Sequence, residues 1–255
     1  MSNDQDVTGS AVNQNNEANE RDAEGVPKDV AFAKRIKSFV LRAGRISPAH
    51  RELYQSQFEH NGLTTDMGML DYQAIFGNDN PVVLEIGFGM GKSLLEMCQA
   101  NPDLNYIGVE VHTPGVARIL REGAEAGVTN LRVFEHDAIE VLAECIPDGS
   151  LQTAQLYFPD PWHKKRHHKR RILQADFAQN IRKKLKIGGT FHMATDWENY
   201  AEHMLEVMDE QLGYENVAGK GHYHPRPDFR PLTKFEVRGE NLGHGVWDLI
   251  YARTE

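Results

Sequence analysis

Short apolar runs alternate with stretches of helical spacing from residue 81 to the end of the chain. The first run covers 81–87 and ends in glycine, and the segment 92–100 after it repeats apolar residues at helical intervals. Further apolar runs predict strands at 105–111, 131–134, 151–158, 189–194 and 246–252. Helical spacing between them predicts helices at 114–126, 138–145, 173–185 and 197–211. This alternation predicts an α/β fold with a doubly wound, mostly parallel sheet.

Length and composition then limit the class of protein. The chain has 255 residues, of which 40% are hydrophobic and 25% are charged, and these values exclude collagen-like, wholly disordered and disulfide-scaffold proteins. The only cysteines, Cys98 and Cys145, lie in stretches predicted to be buried, which favours a reducing compartment. Since no signal-peptide pattern and no run of about 18 apolar residues is present, we expect a cytoplasmic protein without a membrane partner.

The pattern divides the chain into three parts. Residues 1–27 carry six acids against the single base Arg21 and little to bury, so we expect a disordered acidic leader. Residues 28–80 form a basic, helical N-terminal segment that packs on the core, and residues 81–255 form the α/β domain. Phe32, Ile36, Phe39 and Val40 fit one face of an amphipathic helix, which either docks on the sheet or closes over the site.

Charge is unevenly distributed along the chain. The net charge is −9, yet residues 161–186 contain ten Lys or Arg against the single acid Asp176. A block of this kind predicts a surface for a polyanion, because Lys and Arg supply most contacts to phosphates.

Acidic side chains occur where the predicted strands end. Ligands of doubly wound sheets bind at the carboxyl ends of the strands, so these acids are candidates for one site. They are Glu85, Glu110, Asp137, Asp160 and Asp196, and Glu85 is followed by the glycine turn Gly87, Gly89 and Gly91.

The spacing of the glycine turn selects among cofactors. A nucleoside-triphosphate loop would need a glycine where Ile86 stands, and a dinucleotide fingerprint would need G-x-G-x-x-G. S-adenosylmethionine fits better, because its amino-acid end suits the glycine turn, its ribose suits Glu110 and its adenine can reach Asp137. Glu85 would then hold the methionyl ammonium, which favours S-adenosylmethionine over a dinucleotide.

The end of the strand at 151–158 suggests the substrate. Asp160 lies between two prolines, so its direction is fixed, and it would face the methyl donor. Guanine presents N–H groups that can donate to Asp160 and Asp196, while Trp162 or Phe235 offers an apolar face to the base. Attack by the N7 lone pair needs positioning rather than a metal or a strong base. The basic run Lys164 to Arg171 would hold phosphates of the same nucleic acid.

The chain also resembles the bacterial tRNA (guanine-N7)-methyltransferase family from about residue 37 to 253. The resemblance is carried by LEIGFGMGKS, GVEVH, FPDPWHKKRHHKRR, ATDWENYAEHM and TKFEVRGENLGHGVWDL. It implies methylation of guanine 46 in the variable loop of tRNA, with S-adenosylhomocysteine as the other product. It also implies a seven-stranded class I methyltransferase sheet with an antiparallel last strand.

The resemblance assigns roles to individual residues. It implies that Glu85, Glu110, Asp137 and Asp160 bind the methyl donor and that Asp160 is also catalytic. The implied substrate-binding residues are Lys164, Asp196, Thr233, Lys234, Phe235 and Glu236. The implied RNA-contacting residues are Arg166, His167, His168, Lys169, Arg170 and Arg171.

Several alternatives stay open. Glu85 could be an exposed strand-end acid, and Asp137 or Asp196 could serve as helix N-caps. No metal is expected, since the neighbourhood of the histidines 163, 167 and 168 is cationic. An exocyclic-amine methyltransferase and a noncatalytic RNA-binding protein of this fold are the alternative functions. We expect a monomer or a homodimer with no obligatory protein partner.

Overall fold

The computed structural model describes residues 36–40, 48–232, 236 and 245–255. The predicted leader 1–27 lies outside the described residues, as do 28–35 and 41–47 of the basic segment. The chain divides into the units Met1–Lys37 and Ser38–Glu255, and the described residues of the first unit, Ile36 and Lys37, are exposed. Residues 36–40 are not helical, so the amphipathic helix predicted through Phe39 and Val40 is wrong for this part of the chain.

The described residues form the predicted alternation of strands and helices. The strands are β1 (Gly62–Leu63), β2 (Val82–Ile86), β3 (Asn105–Glu110), β4 (Leu131–Glu135), β5 (Leu151–Tyr157), β6 (Leu185–Thr195), β7 (Tyr214–Asn216) and β8 (Trp247–Arg253). The α-helices are α1 (Pro48–Asn61), α2 (Tyr72–Phe76), α3 (Lys92–Ala100), α4 (Thr113–Glu125), α5 (Ala138–Glu144), α6 (Ala175–Lys184) and α7 (Glu198–Asp209). Two 3-10 helices cover Thr65–Met67 and Lys165–Arg170. Among the described residues, no helix has the length and apolar character that a bilayer span requires.

The strands form one sheet in the order β1-β4-β3-β2-β5-β6-β8-β7. Neighbours from β1 to β6 are parallel, and β8 is antiparallel to both β6 and β7. The doubly wound sheet and its antiparallel last strand are therefore confirmed. The expected number of seven strands is one too low, because β1 adds a two-residue strand beside β4 that is too short to leave a hydrophobic pattern.

Alternate side chains of the central strands enter two different cores. Val83 lies with residues of α3 and α4 on one face, whereas Leu84 lies with residues of α5, α6 and α7 on the other. This alternation is the period of two that a strand imposes on its side chains. Both cysteines are buried, as predicted.

The strand order reverses between β2 and β5. The chain crosses from β2 to β3 on one side, while β5 and then β6 extend the sheet on the other side. The turns that follow β2 and β5 therefore lie side by side at the topological switch point, where sheets of this class bind their ligands.

Candidate active site

A cavity of about 420 Å³ opens at the switch point between β2 and β5. Its lining includes Gly87 and Gly89 after β2, Glu110 at the end of β3, Asp137 after β4 and Asp160 after β5. Its volume lies in the range of roughly 300–1,000 Å³ that small-molecule sites occupy. Three of the five strand-end acids therefore share one cavity with the glycine turn.

The glycine turn leaves space for a ligand. Gly87 and Gly89 have φ values of 76° and 59°, and a Cβ added at either would meet no atom within 4 Å. At Gly91 a Cβ would lie 2.6 Å from the Cβ of Ile119, so this glycine is required for the packing of α3 on α4. The turn is an open cradle that fits the amino-acid end of S-adenosylmethionine.

Glu110 is fixed by backbone donors before any ligand is considered. Its Oε2 accepts from Gly89 N at 2.7 Å, and its Oε1 accepts from Val111 N at 2.7 Å and His112 N at 3.0 Å. The carboxylate is thus oriented at the edge of the cavity. An acceptor in this place suits the two hydroxyls of a ribose.

Glu85 lies beneath the glycine turn and is only 3% exposed, so the alternative of an exposed strand-end acid is wrong. Among the described residues, its Oε2 has no hydrogen-bond partner. Burial, followed by the nearby charge of Glu110, raises the pKa of Glu85 to about 8. A buried carboxylate with an unpartnered oxygen fits the ammonium group of S-adenosylmethionine, because that cation would compensate the cost of burial.

Asp137 and Asp196 were the two acids that could alternatively be helix N-caps, and only Asp137 is one. Asp137 is the N-cap of α5, and its Oδ1 accepts from Ile139 N at 3.1 Å, so the N-cap alternative is confirmed. The same residue also lines the cavity. Asp196 is not an N-cap, because α7 begins one residue later and has Trp197 at that position. Trp197 N instead donates to Thr195 Oγ1 at 3.2 Å.

Asp160 is exposed at the cavity and sits in an unusual turn. Phe158 and Trp162, which flank it, have φ values of 50° and 49°, a region that non-glycine residues rarely occupy. Trp162 Nε1 donates to the carbonyl oxygen of Ser38 at 3.1 Å, and the Arg170 guanidinium lies 4.7 Å from the centre of the indole ring. One face of Trp162 is therefore already covered.

The basic block of residues 161–186 is two separate groups in space. The 3-10 helix Lys165–Arg170 follows the Asp160 turn, and Lys164, Lys165, Arg166 and Lys169 are exposed there. Helix α6 leads back to the amino end of β6, where Lys184 is buried and donates to Asp148 Oδ1 at 2.6 Å. Because β5 and β6 are parallel, the carboxyl end of β5 and the amino end of β6 lie at opposite edges of the sheet. The ten bases therefore do not form the single surface predicted for the block.

Two predicted contact residues are used inside the protein. Arg171 is 2% exposed and donates to Pro161 and Asn199, so its expected RNA contact is wrong for this conformation. Glu236 is 1% exposed and accepts from Nη1 and Nη2 of Arg230 at 2.7 and 2.6 Å. A carboxylate held in this way is not available to a substrate, so that expectation is also wrong here. Thr233, Lys234 and Phe235 lie outside the described residues.

A buried polar network that the sequence did not predict lies beside the Asp160 turn. Tyr157 Oη lies 2.8 Å from His192 Nδ1, and His192 Nε2 lies 2.8 Å from Asp248 Oδ1. Arg230 is fully buried and donates to both oxygens of Asp248 at 2.8 Å. His192 and Asp248 interrupt apolar strands, and this interruption is the signal that could have revealed the network. The described residues hold no group of three or more His, Cys, Asp or Glu placed to bind a metal ion.

Comparison with known proteins identifies relatives over most of the chain. Residues 79–249 match a family model described as "Putative methyltransferase". The tRNA (guanine-N(7)-)-methyltransferase of Pseudoalteromonas translucida is 57% identical over 239 residues, covering 94% of this chain and 99% of that protein. The enzyme of the same name from Shewanella oneidensis is 60% identical over 222 residues, covering 87% and 93%.

A solved structure shares the fold at low sequence identity. The 16S rRNA methyltransferase KamB superposes with a TM-score of 0.51 at 14% identity, covering 84% of this chain and 97% of that one. At this identity the similarity concerns the fold alone.

Proposed function

This chain belongs to the bacterial tRNA (guanine-N7)-methyltransferase family and is an S-adenosylmethionine-dependent enzyme, and we propose that it methylates N7 of guanine 46 in the variable loop of tRNA. The observation that supports the site most directly is one cavity that contains both the glycine turn and Asp160. A donor bound along the turn would have its reactive end near the Asp160 turn. Proximity of this kind is the main requirement of the reaction.

The residues around the glycine turn would bind the donor. Gly87 and Gly89 form the cradle for the amino-acid end, Gly91 completes the turn where α3 packs on α4, and Glu85 neutralises the ammonium group. Glu110 accepts from the ribose hydroxyls, and Asp137 lies at the end of the cavity where the adenine would bind. S-adenosylmethionine supplies an electrophilic methyl group on a sulfonium, and the sulfur keeps the bonding electron pair when the methyl leaves.

Asp160 would act on the guanine. The N7 lone pair carries no proton, so the chain needs to orient the purine rather than to remove a proton from it. The ring gains positive charge as the new N–C bond forms, and the Asp160 carboxylate stabilises that charge if it is close. Asp196, which is half-buried after β6, would accept from the N–H groups of the Watson–Crick edge.

The basic side chains after Asp160 would bind the tRNA backbone, and four of them, Lys164, Lys165, Arg166 and Lys169, are exposed. Lys164 contacts the substrate nearest the reaction, and Lys165, Arg166, His167, His168, Lys169 and Arg170 follow it along the 3-10 helix. Substrate binding by Thr233, Lys234 and Phe235 remains a prediction. We also expect a monomer or homodimer that acts on tRNA in the cytoplasm.

The decisive experiment uses two tRNA transcripts that differ only at position 46. The full chain is incubated with radiolabelled S-adenosylmethionine and a transcript carrying guanine or adenine there. We expect label only in the guanine transcript and 7-methylguanosine in its nuclease digest. Label in both transcripts would overturn the assignment to position 46.

The same digest separates the alternative functions. N6-methyladenosine in place of 7-methylguanosine would identify an exocyclic-amine methyltransferase. Retained tRNA binding without label, from folded protein that binds S-adenosylmethionine, would indicate an RNA-binding protein of this fold.

A further inference from the structure

Arg171 belongs to the run of bases that the sequence assigns to tRNA, but its side chain lies inside the protein. It is buried, whereas Lys164, Lys165, Arg166 and Lys169 are exposed. A buried guanidinium cannot reach a phosphate unless the surrounding residues rearrange. The contacts of Arg171 within the protein therefore indicate its role.

Those contacts join two turns of the site. Nε donates to the carbonyl oxygen of Pro161 at 2.9 Å. Nη2 donates to Asn199 Oδ1 at 2.8 Å, and Nη1 donates to the carbonyl oxygen of Asn199 at 3.3 Å. The guanidinium also lies 4.7 Å from the centre of the Tyr200 ring. One side chain thus connects the turn after β5 with the first turn of α7.

Each of these turns carries a proposed substrate contact. Pro161 follows Asp160 directly, and Asn199 lies three residues after Asp196 in the sequence. If both acids hold the same guanine, their separation sets the direction of its N7 toward the methyl donor. A side chain that fixes this separation controls the alignment of the reaction.

The turn after β5 also needs external support. The positive φ values of Phe158 and Trp162 cost free energy and persist only where surrounding contacts maintain them. The bond from Arg171 to Pro161 lies within this segment, next to Trp162. It is therefore placed to hold the carboxylate of Asp160 in one orientation.

We propose that Arg171 is a positioning residue that fixes the Asp160 turn relative to the Asp196 turn, and that it is not a phosphate ligand. Lysine cannot replace it, because a single ammonium lacks the planar fork that reaches Pro161 and Asn199 together. This inference rests on the proposed function, in which both acids contact the guanine.

The test compares Arg171→Lys with a matched control, Arg253→Lys. Arg253 also donates to backbone oxygens, those of Leu185 at 2.6 Å and Lys183 at 3.3 Å, but at the amino end of β6. Both changes keep the charge. For each full-length variant we would measure the tRNA dissociation constant across salt concentrations and the methyl-transfer rate with both substrates saturating.

We expect Arg171→Lys to lower the methyl-transfer rate by about 10- to 100-fold, because small misplacements near the reacting atoms have effects of that size. Its tRNA affinity and salt dependence should match the wild type, and Arg253→Lys should match the wild type throughout. A phosphate ligand would behave differently, since Arg171→Gln would then lower the salt slope by about one while the saturated rate stayed intact. That outcome would overturn the proposal.

Asn199→Ala provides a second test in case the arginine variants fold poorly. It removes the side-chain amide of an exposed residue, and with it the Oδ1 that accepts from Arg171, and we expect a smaller loss of rate at unchanged tRNA affinity. If Asn199 acts through Arg171, the double variant with Arg171→Lys should lose no more than Arg171→Lys alone. An unchanged rate in Asn199→Ala, or fully additive losses, would contradict the positioning role.

The two proposals fail in distinguishable ways. If the wild type methylates a guanine other than 46, the assignment of position fails, but the ratio of variant to wild-type rate on that guanine still tests Arg171. If the wild type methylates guanine 46 and Arg171→Lys keeps the full rate, only the positioning role fails.

Discussion

The backbone N–H of Gly89 donates to Glu110 Oε2 at 2.7 Å, which joins the turn after β2 to the end of the neighbouring strand β3. The other carboxylate oxygen is held by the N–H groups of Val111 and His112. Because these donors orient the acid in advance, little ordering is needed when a ligand binds. This relationship makes Glu110 the most sharply testable of the residues proposed to bind the methyl donor.

Glu110→Gln should weaken the binding of S-adenosylmethionine by about 10- to 100-fold, the range for a hydrogen bond to a charged group. The amide keeps the shape of the side chain, but its nitrogen cannot accept from a backbone N–H or a hydroxyl. Isothermal titration calorimetry gives the dissociation constant. Glu122→Gln, on α4, is the control, and equal affinities of the two variants would exclude Glu110 from the donor site.

Donor binding at pH 7 should release a proton from Glu85. With a pKa of about 8 this carboxyl is mostly protonated at pH 7, and an ammonium group beside it favours the ionised form. Calorimetry in two buffers of different ionisation enthalpy measures the release. Glu85→Gln should abolish it, and a wild type that releases no proton would place the ammonium elsewhere.

The same pKa has a consequence for stability without the donor. Between the ordinary glutamate pKa and about 8, the folded state binds more protons at Glu85 than the unfolded state does. The contribution of Glu85 to the free energy of unfolding therefore falls as pH rises through this window. Thermal melts over this pH window measure the effect. The melting temperature of the wild type should fall relative to that of Glu85→Gln as the pH rises.

Asp160→Ala should lower the methyl-transfer rate by about 100-fold or more while tRNA binding stays measurable. The side chain faces the cavity, whereas the exposed cations of the 3-10 helix remain to hold the phosphates. Single-turnover rates and filter binding separate the two effects. Asp176→Ala, which removes an exposed acid from the start of α6, is the control. Parallel loss of rate and binding in Asp160→Ala would contradict this division of roles.

Replacing Arg166 and Lys169 by Gln together should lower the salt slope of tRNA binding by about two, one for each phosphate that is no longer neutralised. The matched variant replaces Lys183, in the last turn of α6, and Lys186, at the amino end of β6. Both lie at the edge of the sheet opposite to the 3-10 helix. It removes the same charge and should leave the slope as in the wild type. A slope that changes only in the second variant would move the tRNA surface to the other end of the sheet.

Arg230→Ala should reduce the free energy of unfolding by about 3–5 kcal/mol, because it removes the buried arginine that pairs with two buried carboxylates. Those carboxylates are Glu236 and Asp248, and all three side chains are buried. Chemical denaturation measures the loss. Arg226→Ala removes a more exposed partner of Glu236, 3.1 Å away, and should cost about 1 kcal/mol or less. Equal losses of unfolding free energy in the two variants would mean that the buried ion pairs of Arg230 stabilise the fold no more than the exposed pair of Arg226.

The sequence by itself determined the order of the elements and the places where strands end. Apolar runs identify β2 to β6 and β8 because a buried strand must be apolar on both faces, and the acids after them are local in sequence. The glycine turn could be recognised because its three glycines are also close together in the sequence. The shortest strands, β1 and β7, could not, since two or three residues leave no periodic pattern.

Only the tertiary structure decided which charges are buried in pairs and which line the cavity. Arg170 and Arg171 are adjacent and chemically identical, yet the guanidinium of Arg170 lies over Trp162 while that of Arg171 joins Pro161 to Asn199. Glu85 and Glu110 both lie at the carboxyl ends of strands, but Glu85 is buried beneath the turn and Glu110 lines the cavity. Burial and pairing depend on elements far away in the chain, so residue type and spacing alone do not contain them.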